Sequence, residues 1–124
     1  MEVVHSGNRI RRHRKKSGLT QEELARILGY ADDGAVSRHE QSMTVPPLLI
    51  AIAYQAVFQV PISDLFPGIQ SAVEQAVARR LVELEAGLLE RINNAKRRRL
   101  AAQKLAWLDE RRALEEKKSF SHEY

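Results

Sequence analysis

Along the first half of the chain, apolar positions recur at helical spacing in short runs separated by turn residues, and no stretch alternates with the period of a strand. Residues 1–7 carry no such run and read as a short arm. Asn8 is placed to cap a first helix that reaches about Ser17, where Gly18 ends it. Thr20 with Glu23 three residues on is a capping box. It starts a second helix that carries Leu24, Ala25, Ile27 and Leu28 inward and closes at Gly29. A third helix is predicted over 34–41, with Asp32 or Asp33 as its cap. Residues 45–58 are strongly apolar, and Pro46 and Pro47 suit a helical first turn. Leu48, Leu49, Ile52, Ala53 and Val57 form the expected buried stripe of that fourth helix. Val60-Pro61 breaks the run, and Ser63 caps a short fifth helix that ends at Phe66-Pro67-Gly68.

The pattern changes after Gly68. From residue 69 to 118 there is no proline, Gly87 is the only glycine, and alanine, leucine, glutamate and arginine dominate, as in long exposed helices. Val73, Val77, Leu81, Leu84, Leu88, Ile92 and Ala95 form one apolar seam with an eleven-residue period, close to the natural helical repeat. The seam stops in the run Asn93-Asn94-Ala95-Lys96-Arg97-Arg98-Arg99, and a second stripe of Leu100, Ala101, Leu105, Trp107, Leu108 and Leu114 points roughly the opposite way at about 100° per residue. Two arrangements satisfy this. The chain turns near Asn93-Asn94 into a helical hairpin, or one helix of about 50 residues, some 75 Å long, meets different partners on its two halves. Either extension has little of its own to bury against, so self-association is expected, most simply a two-fold dimer. The organisation is all-α: an arm over 1–7, a five-helix domain over 8–68, a helical dimerisation or interaction extension over 69–118, and a tail over 119–124.

Composition narrows the chemistry. The absence of cysteine among 124 residues removes disulfides and thiolate metal sites, and no apolar run is long enough to span a membrane, so a cytoplasmic protein is expected. No catalytic constellation is present, and the four histidines show no metal-ligand spacing, so neither an enzyme nor a cofactor is expected. The net charge of +4 favours a polyanionic partner, and its distribution says more. Arg9, Arg11, Arg12, Arg14, Lys15 and Lys16 fall within eight residues that contain no acid.

Helix, sharp turn and second helix over Gly18-Leu19-Thr20-Gln21, Glu23-Leu24-Ala25, Leu28-Gly29 and Val36-Ser37-Arg38, with Glu40, Ile10-Arg11, Pro47 and Leu65-Phe66 around them, have the spacing of a DNA-reading helix-turn-helix. Residues 8–68 resemble the lambda-repressor-like, Cro-type family, also called the xenobiotic-response-element (XRE) family. The resemblance implies double-stranded DNA as partner, with the third helix in the major groove and the second across the backbone. It places Asp33, Gly34, Ser37 and Arg38 nearest the base edges. Arg38 is the strongest single candidate, because its planar fork can bridge two acceptors of guanine. Asp33 either accepts from cytosine or serves as a helix cap. Phosphate contacts are expected from Gln21, from Thr44 in the following loop, and from Arg11, Arg12, Arg14 and Lys15, since that loop has no cation.

The expected function is that of a sequence-specific transcriptional repressor, a dimer on a two-fold operator. Val73, Val77, Leu81, Leu84, Leu88, Ile92, Leu105, Trp107 and Leu108 are its candidate dimer or interaction residues. The alternative is a protein-interaction module of antitoxin or anti-activator type, in which residues 69–118 grip another protein.

Overall fold

The computed structural model describes residues 7–90 and 95–121, with side chains for 98–118 of the second stretch, and it holds no strand among them. The first helix, α1, spans Ile10–Ser17 and stops at Gly18, whose φ of 80° suits a residue without a Cβ. Arg9, and not Asn8, holds its N-cap position without a side-chain bond. Asn8 acts from one residue earlier, its Oδ1 accepting from the Ile10 N–H at 3.1 Å. Helix α2 (Gln21–Leu28) opens on the complete capping box: Thr20 Oγ1 accepts from the Glu23 N–H, and Glu23 Oε1 accepts from the Thr20 N–H, each at 3.0 Å. The Thr20 backbone N–H foremost, and then the Thr20 side chain, favour the ionised Glu23 carboxylate and hold it below its usual range. Gly29 closes α2 at φ 96°.

Helix α3 spans Gly34–Glu40. Asp33 occupies its N-cap position with no side-chain cap bond, while Asp32 Oδ1 accepts from the Gly34 N–H at 2.9 Å. Helix α4 (Leu48–Phe58) begins immediately after Pro47, and α5 (Ile62–Leu65) after Pro61, so Ser63 lies inside α5 and does not cap it. Gln55 ties the two together, its Oε1 accepting from the Ile62 N–H at 3.0 Å. Pro67 does not end the fifth helix but opens the next, α6 (Pro67–Glu90); a proline at a first helical position lacks only an N–H that would go unused there. Helix α7 spans Ala95–Ser121.

The structure divides into two units between Glu74 and Gln75. In the first, Ile10, Leu24, Ala25, Val36, Tyr54 and Leu65 are fully buried, joined by Leu28 and Phe66. Two expectations about this core are corrected. Ile27 is 56% exposed on the outer side of α2. On α4 the packed positions are Ile50, Ala53, Tyr54, Val57 and Phe58, while Leu48, Leu49 and Ile52 are 72%, 79% and 46% exposed. The helix is apolar almost all round, so its pattern marks no inner face; Tyr54, the largest fully buried side chain, sets the face instead.

In the second unit, α6 and α7 form the hairpin, not one continuous helix. Leu88, Ala101 and Leu108 are buried together, with Leu81 and Leu105 packed against them, and Arg112 on α7 pairs with Glu85 on α6. The link at residues 91–94, with Ile92, lies outside the described residues.

Candidate nucleic-acid interface

Three features of the sequence fix how α3 sits. Val36, His39 and Glu40 fall at positions i, i+3 and i+4, so they share one helix face. All three turn inward. Val36 is fully buried in the core, His39 is 3% exposed, and the Glu40 side chain is 3% exposed. Asp33 and Arg38 are exposed, and Gly34 and Ser37 half-buried.

Burying Glu40 requires partners, and they come from two other helices. Arg14 on α1 grips it bidentately, Nε to Oε2 at 2.6 Å and Nη2 to Oε1 at 3.1 Å, while Gln21 Nε2 donates to Oε1 at 3.1 Å. Arg14 Nη1 also donates to the Leu19 carbonyl at 3.1 Å, closing the α1–α2 turn onto the same group. Hydrogen bonding to Glu40, opposed by burial, raises the Arg14 guanidinium above its ordinary value. Arg14 was expected at phosphate; the structure commits its fork to the interior. Gln21, half-buried at the start of α2, is joined to the same network. Arg11, Arg12 and Lys15 are exposed, as are Arg9 and Lys16, and Thr44 is exposed in the α3–α4 loop.

His39 carries the second anchor. Its Nδ1 shares a 2.8 Å hydrogen bond with Tyr54 Oη, and its ring lies between Tyr30, at 6.3 Å, and Tyr54, edge-on at 5.7 Å. Burial, then the charge of neighbouring Arg38, pushes the imidazole below 6.5; burial, then Glu40, pushes the Tyr54 hydroxyl well above its ordinary value. The His39 carbonyl accepts from Asn8 Nδ2 at 2.7 Å, and the same amide reaches Ser42 Oγ at 3.3 Å. Asn8 thereby clasps the end of α3 to the start of α1. Neither Glu40 nor Asn8 was singled out as functional from the sequence, though the shared face of positions 36, 39 and 40 was there to be read.

The buried neutral imidazole has a consequence for pH. A base whose folded value lies below its unfolded one stabilises fully above the unfolded value and loses that contribution as acidity increases. The thermal unfolding temperature should therefore hold steady above about pH 6.5 and fall as the pH drops below it, and His39→Gln should flatten that fall relative to wild type.

Gly34 gives Arg38 its room. A Cβ there would stand 3.1 Å from Asp32 Oδ1 and 3.2 Å from Arg38 Nη1, so the guanidinium lies back along the first turn of α3. Asp33, Gly34, Ser37 and Arg38 therefore lie on one outward surface, with Arg38 free of ion pairs among the described residues.

The candidate interaction residues of the extension are distributed differently. Leu88 and Leu108 are buried in the hairpin, Leu81 and Leu105 pack on them, and Val73 and Val77 are half-buried. Leu84 and Trp107 are 42% and 51% exposed. Among the described residues no group of acids and histidines is placed to hold a metal, and no helix is long and apolar enough to cross a membrane.

Nothing among curated proteins or solved structures matches the chain. A family does: residues 10–65 match the helix-turn-helix family, the segment that holds α1 to α5. Residues 10–65 thus match a helix-turn-helix domain of the lambda-repressor/Cro-like XRE type, which supports a DNA-binding transcription regulator.

Proposed function

We propose that the chain is a sequence-specific repressor that reads a two-fold operator as a dimer, with α3 in the major groove. The observation that carries this reading is the division of α3. Its inner face is locked by Arg14, Gln21, Tyr54 and Asn8, which frees Asp33, Ser37 and Arg38 to meet base edges from a rigid element. Arg38 bridges guanine, Asp33 accepts from a base amine, and Arg11, Arg12, Lys15 and Thr44 meet phosphates beside the groove.

The hairpin supplies the dimer contact. Two helices bury one face each against one another, and Leu100, Trp107 and Leu114, spaced by seven residues and 52%, 51% and 61% exposed, offer α7 a second seam. A second hairpin on that seam gives a four-helix bundle. The same stripe supports the other reading, in which the seam grips a different protein. Sedimentation of the purified chain separates them: a dimer that Trp107→Glu dissociates supports the first, and a monomer the second. In the dimer, half-sites lie about 34 Å apart, or a multiple of that.

The reading of DNA is tested by selecting bound fragments from random sequence and titrating the best against salt. Wild type should enrich a palindrome. Arg38→Ala should relax one position of it by about 1–3 kcal/mol. Arg12→Ala should instead weaken all sequences alike and reduce the salt slope by about one. Without an enriched motif, α3 does not read sequence.

A further inference from the structure

From Ile27 to Ser63 the charged side chains are Asp32, Asp33, Arg38 and Glu40. Arg14 takes Glu40 in the interior, which leaves exposed Arg38 with the two exposed aspartates as its neighbours in charge. Two carboxylates on a surface that meets DNA are costly, because each repels phosphate. The aspartates are not equivalent. Asp32 Oδ1 is held by the Gly34 N–H, whereas the Asp33 side chain makes no bond to the helix it precedes. The point where a Cβ of Gly34 would stand is 3.1 Å from Asp32 Oδ1, 3.2 Å from Arg38 Nη1 and 3.9 Å from Arg38 Cζ. The Asp32 carboxylate and the Arg38 guanidinium thus border one small space, well within the screening length of about 8 Å at physiological salt. The backbone at position 34 does not require glycine, since the described glycines with positive φ are Gly18 and Gly29. Alanine is also the better helix former. What glycine supplies here is room.

We propose that Asp32 is a positioning residue for Arg38. Its anchored carboxylate holds the guanidinium beside Gly34 and away from DNA phosphates, so that Arg38 is released only to a base edge with two acceptors. An unrestrained arginine on this face would reach phosphates, which every sequence presents, and would add affinity without discrimination. Attraction to Asp32 opposes that single phosphate contact, whereas the paired acceptors of guanine outweigh it. Gly34 keeps open the space that the two groups share. A methyl group there displaces Arg38, the long exposed side chain, because Asp32 is short and bonded to the backbone. The inference rests on the proposed reading of DNA by Arg38 and adds to it a residue that acts through Arg38.

Three variants of the full chain test it, by selection from random sequence and by salt titration on the selected site and on random DNA. Asp32→Asn keeps an oxygen for the Gly34 N–H and loses the charge. It should bind random DNA about tenfold more tightly and steepen the salt slope there by about one. It should also lose most of the preference at the base pair that Arg38→Ala identifies. Gly34→Ala keeps every charge and should relax the same base pair, with a gain on random DNA in the same direction. Asp33→Asn removes an equal charge one residue away. It should tighten random binding but leave the preference at the Arg38 base pair in place. Loss of structure cannot produce these gains in affinity. A carboxylate that merely caps α3 would leave Asp32→Asn like wild type, and that result overturns the proposal. Two other results do the same: Asp33→Asn indistinguishable from Asp32→Asn, which reduces the effect to net surface charge, or Gly34→Ala with its preference intact. If wild type enriches no motif, the reading of DNA by α3 falls and this inference with it. If wild type enriches one and the variants do not follow, the inference alone falls.

Discussion

Replacing Arg14 by methionine should cost the helix-turn-helix domain about 3–5 kcal/mol, measured by urea unfolding, because it leaves the Glu40 carboxylate buried without its counter-charge. The Glu40 side chain is 3% exposed and Arg14 12%, so water cannot take over the role. Gln21 remains, but one amide donor cannot replace a bidentate guanidinium. Arg14→Lys should recover only part of the loss, since an ammonium reaches one oxygen and leaves the Leu19 carbonyl unserved. The double variant Arg14→Met with Glu40→Leu should be far more stable than the first single variant, because an apolar pair of similar volume needs no partners. Arg11→Ala, Arg12→Ala and Lys15→Ala should stay within about 0.5 kcal/mol of wild type, since these side chains are exposed. A uniform loss across the four basic positions would refute the distinction.

Tyr54→Ala should cost about 3–5 kcal/mol, as expected for truncating a large core aromatic. The ring is fully buried, lies parallel to Phe58 at 6.5 Å, meets Phe66 edge-on at 6.4 Å and supports His39 through its hydroxyl. Tyr54→Phe separates packing from bonding. It keeps the ring contacts and strands His39 Nδ1, for an expected loss of about 1–3 kcal/mol. It should also weaken DNA binding more than its stability loss alone explains, because α3 then pivots more freely on Val36. Equal stability of Tyr54→Phe and wild type would mean that the hydroxyl does not hold the helix.

Local chemistry was legible and long-range pairing was not. Thr20 with Glu23, Gly18 and Gly29 declare their roles within four residues, and all three sit where the pattern puts them. Residues 10–65 match the helix-turn-helix family. Arg14 hides among five other cations, and nothing within its own helix shows that its partner lies 26 residues away. Helix α4 misled for a different reason. With leucine, isoleucine and alanine on every side, hydropathy cannot rank its faces, and the decision passes to the volume of Tyr54. In the extension, the reversal of the apolar stripe near Asn93 already permitted the hairpin, but only Leu88 packing with Ala101 and Leu108 decides it.

The clasp formed by Arg14, Tyr54 and Asn8 on the inner face of α3 separates two kinds of change. Substitutions at Asp33, Ser37 and Arg38 touch none of the groups that hold the helix, so they can accumulate at little cost in foldedness. Substitutions at Val36, His39 or Glu40 act on every sequence the domain meets. On the proposed reading, drift on one face of this seven-residue helix redirects the protein to new operators, while the opposite face keeps each intermediate folded along the way.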